Sequence, residues 1–100
     1  MQFIVTFTPH PRFADTGPPD DFMDKEMEER HQAKVLYNQG SIRQLWALSG
    51  GEEGAVVLFE AESREHLQPV IDTFPFVELD YCQYVVRQLA PYPFFSDLSS

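Results

Sequence analysis

GSIRQLWALSGGEEGAVVLFEA, residues 40–61, holds two apolar runs, Ile42–Leu48 and Ala55–Phe59, around Ser49-Gly50-Gly51-Glu52-Glu53-Gly54. The runs are rich in residues that suit a pleated, half-buried surface, and the glycines supply turn conformations. The stretch therefore reads as a β-hairpin with a longer loop. Working outward, a helical segment precedes it, and a second helix and a last strand follow it. The order β-α-β-β-α-β is the ferredoxin-like plan, an α+β fold with an antiparallel sheet.

Upstream, residues 2–8 alternate, with Phe3, Val5 and Phe7 on one face and Ile4, Thr6 and Thr8 on the other. This is a first strand, stopped by Pro9 and Pro11, which cannot donate to a ladder. A long loop follows to about Asp20, and long loops in compact domains are often functional. Helix one is expected to begin near Pro19–Asp21 and to end at Gly40. Pro19 and the acids Asp20, Asp21 and Asp24 suit its positive end, and Gly40 suits its C′ position. At 100° per residue, Phe22, Glu26, Glu29, Ala33, Leu36 and Tyr37 share one broad face, flanked by Met23 and Met27. Two carboxylates thus lie on or beside the face that meets the sheet, with Arg30 one turn from Glu26 and able to pair with it.

Within the hairpin, strict alternation places Ile42, Gln44, Trp46 and Leu48 on one face and Arg43, Leu45 and Ala47 on the other. Strand three, Ala55–Ala61, is apolar on both faces until Glu60. Helices cover one face of such a sheet, so the apolar residues of the other face call for a second sheet packed against them, which makes a dimer. Helix two spans about Ser63–Thr73, with Ser63 as N-cap, Leu67, Val70 and Ile71 as its stripe, and Pro69 interrupting it. Phe74-Pro75-Phe76 ends that helix, and strand four is expected over about Val77–Leu89. Residues 1–90 form one domain. Residues 91–100 are a tail whose Tyr92, Phe94 and Phe95 are expected to pack on a neighbouring subunit, because large aromatics are costly to leave in water.

One hundred residues suffice for one domain that buries about two-thirds of its unfolded surface. Nine phenylalanines and a 43% hydrophobic share are ample for one core. A net charge of −9 argues against nucleic acid or an anionic membrane as partner, since both need a basic patch. Residues 1–7 lack a basic n-region and a cleavage site, which fits a strand rather than a signal peptide. With a lone Cys82, the chain is expected to be cytoplasmic.

Chemistry is sparser. His10, His31 and His66 are scattered, and the single Glu28-x-x-His31 lacks the second copy and further acids that a di-iron site needs, so no metal is expected. Cys82 has no identifiable base partner, no serine sits in a nucleophile elbow, and Gly50-Gly51-x-x-Gly54 enters a strand rather than a helix, so it holds no phosphate. Acid–base chemistry is the stronger candidate. A carboxylate between helix and sheet has its pKa raised by desolvation, which suits removal of a proton beside a carbonyl. Glu29 and Glu26 are the positions that could do this, the plainer alternative being that both sit at the boundary and reach out to water. Arg43, His31, Trp46 and Tyr37 are candidate companions for an anionic or cyclic substrate. The plainer alternatives are a core Trp46, a surface Arg43 and a solvated His31.

Three segments carry a resemblance. They are Gly40–Gly50, with the pattern G-x-x-R-x-L-W-x-x-x-G, Val57–Leu67, with Ser63-x-x-x-Leu67, and Phe74-Pro75-Phe76. Together, over roughly residues 22–86, the chain resembles the muconolactone isomerase family. The resemblance implies a dimeric α+β barrel that assembles into larger rings. It also implies cofactor-free proton transfer on an unsaturated lactone acid during aromatic-compound breakdown. Counting back from Gly40, it places the general acid/base on Glu29. It places on Glu26 the position where the family carries a basic residue for the substrate carboxylate. The alternative, carried by the resemblance of His31–Gly40 to a YCII-like helix, is a non-catalytic small-ligand-binding or assembly module of the same barrel type.

Overall fold

The computed structural model describes residues 1–93. The chain runs β1 (Gln2–Pro9), α1 (Phe22–Asn38), β2 (Ile42–Ala47), β3 (Ala55–Glu60), α2 (Arg64–Ile71), α3 (Pro75–Glu78) and β4 (Cys82–Leu89), with a single 3-10 turn at Pro11–Phe13. The four strands form one antiparallel sheet in the order β2-β3-β1-β4, the ferredoxin-like arrangement expected from the sequence. Of the tail, Tyr92 is exposed. Phe94 and Phe95, on which the expected subunit contact also rests, lie outside the described residues.

Local chemistry explains most boundaries. Helix α1 ends in a paired motif in which the Gly40 N–H donates to Tyr37 O and the Ser41 N–H to Leu36 O. Gly40 stands at φ +85°, which glycine adopts without strain. The Ser63 hydroxyl accepts from the His66 N–H at 3.1 Å and starts α2. In the hairpin loop, a Cβ on Gly54 would sit 2.3 Å from Phe7 O, so only glycine fits.

Three expectations are corrected. Strand β2 carries a bulge between Ile42 and Gln44, so Ile42 pairs with Phe59, Leu45 with Val57 and Trp46 with Val56. The extra residue reverses the alternation. Ile42, Leu45 and Ala47 therefore share the helix side, whereas Gln44 and Trp46 share the far side with Val56 and Leu58. Val77 and Glu78, expected in strand four, belong instead to the short helix Pro75–Glu78, because Pro75 at the first helical position presets the backbone, and β4 starts only at Cys82. Tyr37 and the flanking Met23 and Met27 point to solvent, so the buried stripe of α1 narrows to Phe22, Glu29, Ala33 and Leu36, of which Leu36 is fully buried.

The core lies between the helices and one sheet face. Phe3, Val5, Ile42, Phe59, Leu67 and Ile71 are almost wholly buried, and Phe74 joins them from the α2–α3 junction. Its ring packs against Phe7 and Phe59. That anchor fixes where α3 begins, and so where the next peptide N–H points.

Candidate functional site

Helix α1 places Phe22 and Glu29 seven residues apart, two turns along one face. The Phe22 ring stacks on Phe76 at 5.1 Å, which draws α3 against α1. Phe76 is the first residue of α3 able to donate, since Pro75 has no N–H. The preceding residue Phe74 offers no side-chain acceptor. Glu29 supplies one: the Phe76 N–H donates to Glu29 Oε1 at 2.5 Å. No cation pairs with Glu29 among the described residues. Desolvation dominates, and it lifts the carboxyl from the usual 4.5 to about 7, with the Phe76 N–H pulling the other way. Glu29 is thus balanced between its two protonation states near neutrality, the condition under which a carboxyl exchanges protons most effectively.

The surroundings support that state. Cys82, at the start of β4, is half-buried, and burial together with the charges of Glu29 and Asp80 pushes its thiol up to about 12. It stays protonated and is no nucleophile. Tyr81 lies against Phe76 and edge-on to Phe13, and its hydroxyl donates to Asp21 at 2.7 Å. Asp21 would otherwise cap α1, but its side chain makes no capping bond. The Arg12 guanidinium donates to Leu79 O and Asp80 O at 3.1 and 2.8 Å. The loop after β1 is therefore strapped to the α3–β4 turn, where Asp80 is held at φ +61°. Sequence reading passed over Phe76, Tyr81, Asp21 and Arg12, since these bonds join positions about 50 to 70 residues apart. The available signal was Phe74-Pro75-Phe76, a helix start rather than a helix end.

The other candidates do not converge on Glu29. Glu26 is ion-paired with Arg30, as its spacing suggested, and its side chain is 33% exposed. His31 is exposed and lines a shallow hollow with Met27, Glu28, Gln32, Thr73 and Pro75. Tyr37 is exposed two turns further along α1. Arg43 lies exposed in the β2 bulge. Trp46, instead of filling the core, is 46% exposed on the far face of the sheet. The hollow beside His31 borders the Glu29 segment without including Glu29 itself, and a second hollow, lined by residues that include Met1, Gly40, Glu60 and Glu62, does not include it either. Among the described residues, no group of three or more His, Cys, Asp or Glu side chains is placed to hold a metal ion. No helix among them is long and apolar enough to cross a membrane.

Comparison with known proteins adds a family. The muconolactone delta-isomerase profile matches residues 1–94. The crystal structure of a muconolactone isomerase superposes with a TM-score of 0.75 at 26% identity, covering 93% of this chain and 92% of that one. A 5-chloro-2-hydroxyhydroquinone dehydrochlorinase from Burkholderia phenoliruptrix AC1100, in complex with 2,5-dihydroxybenzoquinone, superposes with a TM-score of 0.69. At 15% identity over 90% of this chain and 94% of that one, it shows the shared fold alone. No curated protein matches the chain.

Proposed function

Because the chain belongs to the muconolactone delta-isomerase family, we propose that it shifts a carbon–carbon double bond in a small unsaturated lactone or related cyclic acid. Glu29 carries the proton, and no cofactor takes part. The observation behind this reading is the half-buried Glu29 carboxyl, raised to about 7 and held, among the described residues, by a backbone N–H alone. The ionised carboxylate removes a proton from the carbon beside the carbonyl. The C–H bond breaks, an O–H bond forms, and the electron pair spreads into the conjugated enolate. The carboxylic acid then returns the proton to a different carbon of the same system, so the substrate is isomerised and Glu29 regenerated.

Assembly is part of the proposal. The far sheet face exposes Trp46 and Val85, with Ile4, Val56 and Leu58 half-buried between them. A second copy packed on this face makes the homodimer that the family resemblance implies, and larger rings build on it. With Trp46 in that contact and Glu26 held by Arg30, binding of the acid falls to Arg43, His31 or Tyr37 only where a neighbouring subunit brings them to Glu29.

A second reading, a non-catalytic small-ligand-binding or assembly module, draws on one observation: two surface hollows among the described residues are lined by residues other than Glu29. One assay separates the readings. Lactone isomerisation by the parent protein, with turnover lowered about 10²–10⁴-fold by Glu29→Gln, supports the enzyme. Unchanged turnover in that variant removes Glu29 from the mechanism, and an inactive parent favours the module.

A further inference from the structure

A carboxylate has two oxygens, and the fold treats those of Glu29 differently. Oε1 accepts the Phe76 N–H, and no described hydrogen bond reaches Oε2. The donor is held from several directions. Phe74 is buried in the core immediately before it, and the Phe76 ring is stacked on Phe22 of the same helix that carries Glu29. The carbonyl of Phe76 accepts the Tyr81 N–H at 2.8 Å, and Arg12 ties down two carbonyls further along that turn, Leu79 O and Asp80 O. A peptide fixed this firmly cannot follow a swinging carboxylate, so the carboxylate must conform to the peptide. An oxygen already engaged by a backbone donor is the poorer proton acceptor of the two.

Resting on the assignment of Glu29 as the proton carrier, we propose that the Phe76 peptide is a positioning group. It pins Oε1 and leaves Oε2 as the atom that takes the substrate proton and returns it. Phe74-Pro75-Phe76 is then a clamp on the acid–base residue. Phe74 anchors it, Pro75 sets the turn without competing as a donor, and Phe76 presents the N–H. The bond favours the charged carboxylate, so it partly offsets the desolvation and keeps enough base at neutral pH.

The test begins with the unmodified protein. By NMR, the Phe76 amide proton is expected to titrate with the same midpoint as the Glu29 carboxyl carbon. An amide that stays flat through the Glu29 transition overturns the clamp. Next, replacing the residue 76 amide by an ester, with phenyllactic acid in place of phenylalanine, deletes the N–H and keeps the ring. The Glu29 midpoint should rise by about one pH unit, and the acid limb of kcat/KM should move up with it. A rate lowered equally at every pH, with the midpoint unmoved, overturns the proposal, since that is how a merely structural role behaves. Failure of the underlying reading looks different: Glu29→Gln turns over normally while the Phe76 amide of the parent still follows Glu29.

Discussion

On β1, Phe3 and Val5 are fully buried, while Ile4 and Thr6 beside them stay partly open. On β3, Val57 and Phe59 are closed off, while Val56 and Leu58 are not. The two faces of the sheet alternate along the same strands; the inner one is almost wholly apolar, the outer one mixes Ile4, Trp46, Val56, Leu58 and Val85 with Thr6, Gln44, Gln83 and Arg87, and only the inner one has a lid. Three helices cover the inner face and supply the only carboxyl in the described residues whose pKa is raised. Among the described residues, no helix or strand lies over the outer face. Apolar character alone therefore does not determine burial in this protomer; what crosses above each face does. The inner face spends its isolation from water on stability and on shifting Glu29, and the outer face is left as a surface that another copy can complete.

The strongest challenge to that contrast is a charge on the outer face. Val56→Asp places two carboxylates in each sheet-to-sheet contact, and an uncompensated buried charge costs about 3–5 kcal/mol. Sedimentation should show a folded 11.6 kDa protomer in place of a dimer. An unchanged dimer would mean that the copies meet elsewhere.

The inner face is probed by Phe59→Ala, which should lose about 3–5 kcal/mol in denaturant unfolding. Val85→Ala on the outer face, at a position 53% exposed, should stay within about 1 kcal/mol when the protomer is held monomeric. Similar losses at the two sites would erase the distinction.

A sharper test uses pH. Glu29 titrates at about 7 in the fold against 4.5 when free. Between those values the folded chain holds a proton that the unfolded chain has released. Stability therefore falls as pH rises through this window, and the penalty is complete above it. Glu29→Gln should stabilise the protein by up to about 3 kcal/mol near pH 8, and by little near pH 4. Urea midpoints at the two pH values decide it, and an equal shift at both would show that the carboxyl is not desolvated.

The smallest effect is expected on the water side of α1. Arg30→Gln breaks the pair with Glu26, and such exposed pairs contribute about 0.3–0.5 kcal/mol. A loss well above 1 kcal/mol would place Glu26 in the same dry layer as Glu29 and blur the contrast between carboxylates three residues apart.

The sequence by itself determined the order of the four strands and two main helices, the first strand's alternation and the ends of α1 and α2, and it left Glu29 and Glu26 side by side as candidate acids. Each depends on spacing within a few residues: period two in a strand, about 3.6 in a helix, glycine where φ is positive and serine where a helix starts. Tertiary structure decided the rest. One bulge in β2 moved Trp46 from the expected core to the outer face, because a single inserted residue reverses every side chain beyond it. The narrow contact stripe of α1 left Tyr37 in water, although it belongs to the broad face that periodicity describes. The hydrogen bond from Phe76 to Glu29 joins positions 47 residues apart, and no local pattern records it. It exists because buried Phe74 and the Phe22–Phe76 stack bring a peptide without a local acceptor to a carboxylate without a cation. Desolvation there is a property of the assembled layers, so the raised pKa of Glu29 follows from the fold and not from its neighbours in sequence.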